Sequence, residues 1–147
     1  MRIISITHCS AKKSIKPTIV PQNIYNNMND FFIEWNGLLD KEKNIITAEL
    51  LYDGRGIKEL FKSNFDHELY VISAGLGLIH KKDPIPSYSL TVSKDTEVSI
   101  NNFIKEGFDS SAWWNLVVQT KYSRPSIEEI TYGSDVVLIS LTSPYLF

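Results

Sequence analysis

Apolar and polar positions alternate along this chain in two rhythms. Three short apolar runs, Ile3-Ile4-Ser5-Ile6-Thr7, Leu69-Tyr70-Val71-Ile72 and Val136-Val137-Leu138-Ile139-Ser140-Leu141, read as buried strands. Each ends in small, polar or glycine residues: His8-Cys9-Ser10, Ser73-Ala74-Gly75-Leu76-Gly77 and Thr142-Ser143-Pro144-Tyr145. Helical spacing lies between them. Residues 23–39 place Ile24, Met28, Phe31, Phe32 and Trp35 on one side, and residues 56–65 do the same with Ile57, Leu60 and Phe61. Residues 96–108 and 111–118 read as further helices. Ser126-Ile127-Glu128-Glu129 has the form of a capped helix start, with both acids in the first turn.

Strands alternating with helices predict an α/β fold: a single domain with a mostly parallel sheet flanked by helices. Right-handed crossovers bring the C-terminal ends of parallel strands to one edge, where such sheets bind ligands. Segments 8–13, 73–80 and 142–145 are therefore expected to meet.

Composition narrows this picture. With 147 residues, 43% hydrophobic and 22% charged, the chain is an ordinary globular length and mixture. Its one cysteine, Cys9, excludes an intrachain disulfide and a cysteine-built zinc site. No apolar run reaches membrane-spanning length, and the first residues lack a signal peptide's apolar region and cleavage site, so the expected location is cytoplasmic. The apolar C-terminal strand followed by Pro144-Tyr145-Leu146-Phe147 reads as the end of one domain or fragment of a longer protein, or as a tail that packs down or meets a partner.

The net charge of −2 conceals an asymmetry. Residues 1–29 hold Arg2, Lys12, Lys13 and Lys16 and no acid, leaving 11 basic and 17 acidic side chains in the remainder. A generally basic nucleic-acid binder is not indicated, while a local anion site near the N-terminus and a solvated lysine loop both stay open.

Four segments carry candidate chemistry. In Cys9-Ser10-Ala11-Lys12-Lys13, a thiol stands beside a hydroxyl and two ammonium groups, a setting that activates a nucleophile or holds a phosphate or carboxylate. In Ser73-Ala74-Gly75-Leu76-Gly77-Leu78-Ile79-His80, two glycines permit close backbone approach to a ligand, but position 80 lacks the third glycine of a dinucleotide fingerprint. In Tyr52-Asp53-Gly54-Arg55-Gly56, an arginine between glycines precedes a helix, a favourable place for an anion. Thr142 and Ser143 supply hydroxyls at the third strand end. The plain alternatives are a buried thiol, solvated loop lysines, tight turns and proline-terminated strands. His8, His67 and His80 show no metal-ligand spacing, so neither metal nor cofactor is expected. Trp113 and Trp114 point about 100° apart on a helix, so one is expected in the core and the other on a partner chain or second domain.

Taken in order, Cys9-Ser10-Ala11-Lys12-Lys13, Leu51-Tyr52-Asp53-Gly54-Arg55, Ser73-Ala74-Gly75-Leu76-Gly77-Leu78-Ile79 and Pro86-Ser87-Tyr88-Ser89-Leu90-Thr91 resemble the motifs of a poorly characterised group of bacterial and phage proteins related to the YaaA peroxide-stress family. The match spans roughly residues 3–92 and extends more loosely to 145; the helix-hairpin-helix of YaaA is not visible. The resemblance implies a link with nucleic acid, base modification, stress response or phage conflict.

Pattern and resemblance together give the expected function: a nucleotide- or nucleic-acid-related enzyme domain acting on a glycosidic bond or modified base. In this reading Lys12, Arg55 and the Gly75–Gly77 loop hold an anionic group, with Tyr52 and Gly54 in the same wall. Ser10, Ser73, Thr142 and Ser143 orient it, and Tyr88 stacks on a ring. Asp53 is the candidate general base and Cys9 the candidate nucleophile. The competing reading is a non-catalytic nucleotide or phosphate sensor, or an interaction module using Trp113, Trp114 and the C-terminal tail. The partner in the first two cases is a nucleotide, nucleobase or local nucleic-acid segment, and no membrane is involved.

Overall fold

The computed structural model describes residues 1–146 and shows an α/β fold built on a mixed sheet. Strand β1 (Ile3–His8) is central and pairs in parallel with β3 (Glu68–Ser73) on one side and β6 (Val136–Ser140) on the other. Strand β4 (Gly77–His80) adds antiparallel to β3, giving the order β4-β3-β1-β6. Residues 77–80 were expected in a loop, and β4 is the correction. A two-residue ladder joins β2 (Ile46–Thr47) to β5 (Pro84–Ile85).

The helices follow the apolar spacing more closely than the expected boundaries. Helix α1 (Met28–Lys41) starts at Asn27, whose side chain accepts from the Asp30 amide at 2.9 Å, and not at Asn23. It buries Phe31, Phe32, Trp35 and Leu39. Two short helices follow, α2 (Ala48–Leu51) and α3 (Arg55–Phe61). The expected helix over 96–108 is reduced to a 3₁₀ turn at Ile100–Phe103. Helix α4 (Ser110–Val117) is capped by Asp109, and α5 (Ile127–Thr131) by Ser126, whose side chain accepts from the Glu129 amide at 3.1 Å. Trp113 is a core residue and Trp114 is half-buried against the core.

Strand β6 departs most from the sequence reading. Expected as a buried strand, it is the sheet edge, with Val136, Val137, Leu138 and Ile139 exposed. Apolar content alone does not tell a central parallel strand from an edge strand. Beyond β6 a 3₁₀ turn at Ser143–Tyr145 folds back and buries Tyr145.

The core centres on the β3–β4 turn. Trp35 Nε1 donates to the Gly75 carbonyl at 2.7 Å, Trp113 Nε1 to the Ala74 carbonyl at 2.8 Å, and Thr120 Oγ1 to the Leu76 carbonyl at 2.6 Å. The Leu76 amide donates to Ser73 Oγ at 3.1 Å. Every carbonyl from 74 to 76 thus has a side-chain donor, which makes a turn this deeply buried affordable in hydrogen-bond terms. The loop expected to cradle a ligand is instead enclosed by α1, α4 and the chain around Thr120. Gly77 is required here because its φ is +93° and a Cβ would collide with Ser123.

Candidate ligand-binding site

The three strand ends do meet, and they meet on Cys9. Its thiol lies 3.4 Å from the Tyr145 hydroxyl and accepts from the Ala74 amide at 3.5 Å, while its own amide donates to the Ile72 carbonyl at 2.9 Å. The junction is packed: Cys9, Ala74 and Tyr145 are all buried. His8 stacks on Tyr145 with ring centroids 4.7 Å apart, and its Nδ1–H donates to the Cys9 carbonyl at 2.8 Å.

Below this junction runs a buried hydroxyl chain. The Tyr88 hydroxyl lies 2.5 Å from Ser73 Oγ and 2.8 Å from the Tyr52 hydroxyl. Burial pushes the phenol pKa of Tyr52, Tyr88 and Tyr145 upward, so these groups stay neutral donors and acceptors. Tyr52, Ser73 and Tyr88 are at most 1% exposed. Tyr88 is therefore a core ring held by its hydroxyl, and not a ring lying over an open site; Tyr52 and Ser73 are interior in the same way.

The open space lies to one side, toward α3. A cleft of about 530 Å³ is lined by Thr7, His8, Cys9, Ser10, Gly54, Gly56 and neighbours from α3 and β6. A second, of about 480 Å³, is bounded by Lys12, Asp53, Arg55, Lys58, Glu59 and Lys62. Two sequence segments are stitched together between them. The Gly54 amide donates to Ser10 Oγ at 3.2 Å, Ser10 Oγ donates to the Lys12 carbonyl at 2.8 Å, and the Asp53 amide donates to that same carbonyl at 2.9 Å. Gly54 is needed for this approach, since a Cβ there would stand 2.7 Å from Ser10 Cβ.

Asp53 bridges Lys58 at 2.8 Å and Lys12 at 3.8 Å. The hydrogen bond from Lys58, with the charges of Lys58, Lys12 and Lys62, holds its carboxyl below the usual range. It is thereby an ionised clamp on two lysines and a weak proton acceptor. Arg55 is almost fully exposed and pairs with Glu59 one helical turn on, at 3.3 Å. Thr142 and Ser143 are exposed at the start of the last 3₁₀ turn and line neither cleft. Of the expected site residues, Cys9, Ser10, Lys12, Asp53, Gly54 and Arg55 border the clefts. Tyr52, Ser73 and Tyr88 are interior and line neither cleft, and Gly75 and Gly77 lie in the buried β3–β4 turn.

The sequence reading grouped Lys13 with Lys12 beside Cys9 and gave it no role of its own. Its ammonium donates to the carbonyls of Ser10 at 2.9 Å and Ala11 at 3.3 Å, 4.6 Å from the Tyr88 ring centre and 5.7 Å from that of Tyr52. Desolvation lowers its pKa, and the interaction with Cys9 acts the other way. Two adjacent lysines are indistinguishable by type, and no signal in the sequence separates Lys13 from Lys12.

Among the described residues no helix is long and apolar enough to cross a membrane. Comparison with models of known protein families, with curated proteins and with solved structures returned no match to this chain.

Proposed function

We propose that this chain is a nucleotide- or nucleic-acid-related domain that holds a small phosphate-bearing ligand across the two clefts beside β1 and α3. The observation that carries the reading is the joining of segments 9–13 and 52–55 through Ser10 and Gly54, which sets the hydroxyl-lined cleft against the one rimmed by Lys12, Arg55, Lys58 and Lys62. Four cations against Asp53 and Glu59 leave that rim positive, as an anionic group requires. Relationship to the YaaA-like group belongs to the same proposal. The segments that carry the resemblance lie side by side: Ser10 touches Gly54, and Tyr88 bonds both Tyr52 and Ser73.

Glycosidic-bond or modified-base chemistry is the proposed reaction class, with Cys9 and Asp53 as the groups nearest the ligand. Binding without turnover is the second reading, and one observation favours it: the carboxylate of Asp53 is already committed to two lysines. A thermal-shift screen with nucleosides, nucleotides, deazaguanines and single-stranded oligonucleotides tests both. Nucleotides at about 100 times their dissociation constant should stabilise the fold by about 2.7 kcal/mol. The gain should shrink as salt rises if phosphate is the anchor. Turnover that survives Asp53→Asn removes Asp53 from the chemistry. Stabilisation by none of these compounds defeats the ligand reading.

A further inference from the structure

Tyr145 is set against the candidate site as a flat ring with one polar group at its edge. The ring stacks on His8, with centroids 4.7 Å apart and planes 10° from parallel. Its hydroxyl lies 3.4 Å from Cys9 Sγ and 3.2 Å from Thr91 Oγ1. His8 and Cys9 also line the first cleft, so the ring stands on ground continuous with it. The segment that carries it is lightly tied. Thr142, Ser143, Pro144 and Leu146 are exposed, and Tyr145 alone among these five is buried. Backbone bonds run within the turn itself, from the Tyr145 amide to the Thr142 carbonyl and from the Leu146 amide to the Ser143 carbonyl. Among the described residues, the side-chain hydrogen bonds and the ring stack that tie 142–146 to the rest of the fold all belong to Tyr145.

We infer that this place is the base subsite of the ligand site, and that the 142–146 segment fills it with Tyr145 until the base of a nucleotide displaces the ring. The inference rests on the ligand site proposed above and deepens it: the ligand is a nucleotide with its base attached, and not a bare sugar phosphate. His8 offers a flat face for stacking. The Cys9 thiol and the Thr91 hydroxyl can each donate or accept, as the edge of a base carrying both kinds of group requires. Lys12 stands three residues after Cys9, at most about 11 Å along the chain, so a base on His8 and a phosphate on the Lys12 rim can belong to one molecule. A base re-forms the stack and the edge contacts that the ring gives up. Residues 142–146 carry no acidic side chain to set against the rim of Lys12, Arg55, Lys58 and Lys62, so the phosphate contacts belong to the nucleotide alone and tip the exchange toward it.

Titration calorimetry with adenosine 5′-monophosphate and with ribose 5-phosphate, on the full chain and on its Tyr145→Ala variant, reads the competition. A tail that fills the subsite about nine times in ten, or more, lowers apparent affinity about tenfold or more. Tyr145→Ala should therefore bind adenosine 5′-monophosphate at least about tenfold tighter than the parent, and ribose 5-phosphate within about twofold of it. The unaltered chain gives a second reading, which decides the matter where the variant fails to fold. Amide hydrogen exchange at Tyr145 and Leu146 should quicken when adenosine 5′-monophosphate saturates the chain and stay unchanged with ribose 5-phosphate. Nucleotide binding that leaves this exchange unchanged or slower overturns the inference, and so does a folded variant that binds the nucleotide no tighter; in both cases the binding itself keeps the ligand site standing. An equal gain in affinity for ribose 5-phosphate also overturns it, since the tail would then block the sugar phosphate and not a base. If adenosine 5′-monophosphate binds neither protein, the inference and the nucleotide reading fall together.

Discussion

Removing the Tyr88 hydroxyl tests whether the buried chain behind the clefts is a joined unit or a set of incidental contacts. Tyr88→Phe deletes the group that bonds both Ser73 Oγ and the Tyr52 hydroxyl, while its fully buried ring keeps its packing. Ser73 retains the Leu76 amide as a partner. The Tyr52 hydroxyl loses its closest one. Stranding a buried polar group costs about 1–3 kcal/mol, and because Ser73 remains satisfied the lower half of that range applies, about 1–2 kcal/mol. Tyr52→Phe removes only one bond and leaves Tyr88 bound to Ser73, so its cost should be about 1 kcal/mol or less. In the double variant no phenol is stranded, and the two losses should not add: a coupling of about 0.5–1 kcal/mol is expected. Urea unfolding of the four proteins at pH 7.5 gives the cycle directly, with unchanged slopes confirming a common unfolded state. A coupling indistinguishable from zero, or a Tyr88→Phe protein as stable as the parent, would refute the reasoning, because it would mean that the hydroxyl chain contributes no more than separate contacts.

Two further outcomes follow from the same packing. Gly77→Ala should destabilise by about 2–4 kcal/mol, from positive-φ strain together with a Cβ driven against Ser123 and the Val117 carbonyl at 3.0 Å; a melting temperature within a degree of the parent would contradict it. Stability should fall as pH drops from about 7 to 5, because His67 and His80 have lowered pKa values, chiefly from desolvation, so the unfolded chain binds their protons more readily. It should fall again in stronger acid, as Asp53, Glu68 and Asp83, all held low by their cationic partners, become protonated. Above about pH 10 it should fall once more, since the unfolded tyrosines ionise while the buried Tyr52 and Tyr88 resist. Urea midpoints from about pH 2 to about pH 10.5 check all three limbs, and a midpoint that rises between pH 7 and 5 would oppose the histidine assignment.

The candidate site was legible in part, for reasons that differ residue by residue. The junction of segments 8–13, 73–80 and 142–145 followed from strand direction alone, and Cys9 stands where all three meet. The pairing of Ser10 with Gly54 lay outside that argument, since it joins a strand end to a helix start through one side chain. Tyr88 reads from the sequence as a stacking ring or an anchor on a proline-stiffened loop; its environment is made by Trp35 and Tyr52, distant in sequence. Lys12 and Lys13 carry the same charge one residue apart, yet the first faces solvent and Asp53 while the second lies on two rings.

By itself the sequence determined what short-range physics controls: apolar runs that form strands, a serine cap with acids in the first turn at 126–129, the cluster of bases in the first 29 residues, and hence the α/β class. Tertiary structure decided everything that depends on which surfaces are covered. It turned β4 antiparallel, because the turn at 74–76 could be buried once Trp35, Trp113 and Thr120 supplied donors for its carbonyls. It left β6 at the edge, its apolar residues exposed, because no further strand or helix among the described residues packs outside it. Hydrophobicity states that a residue favours burial; only the arrangement of all the elements states where burial is to be had.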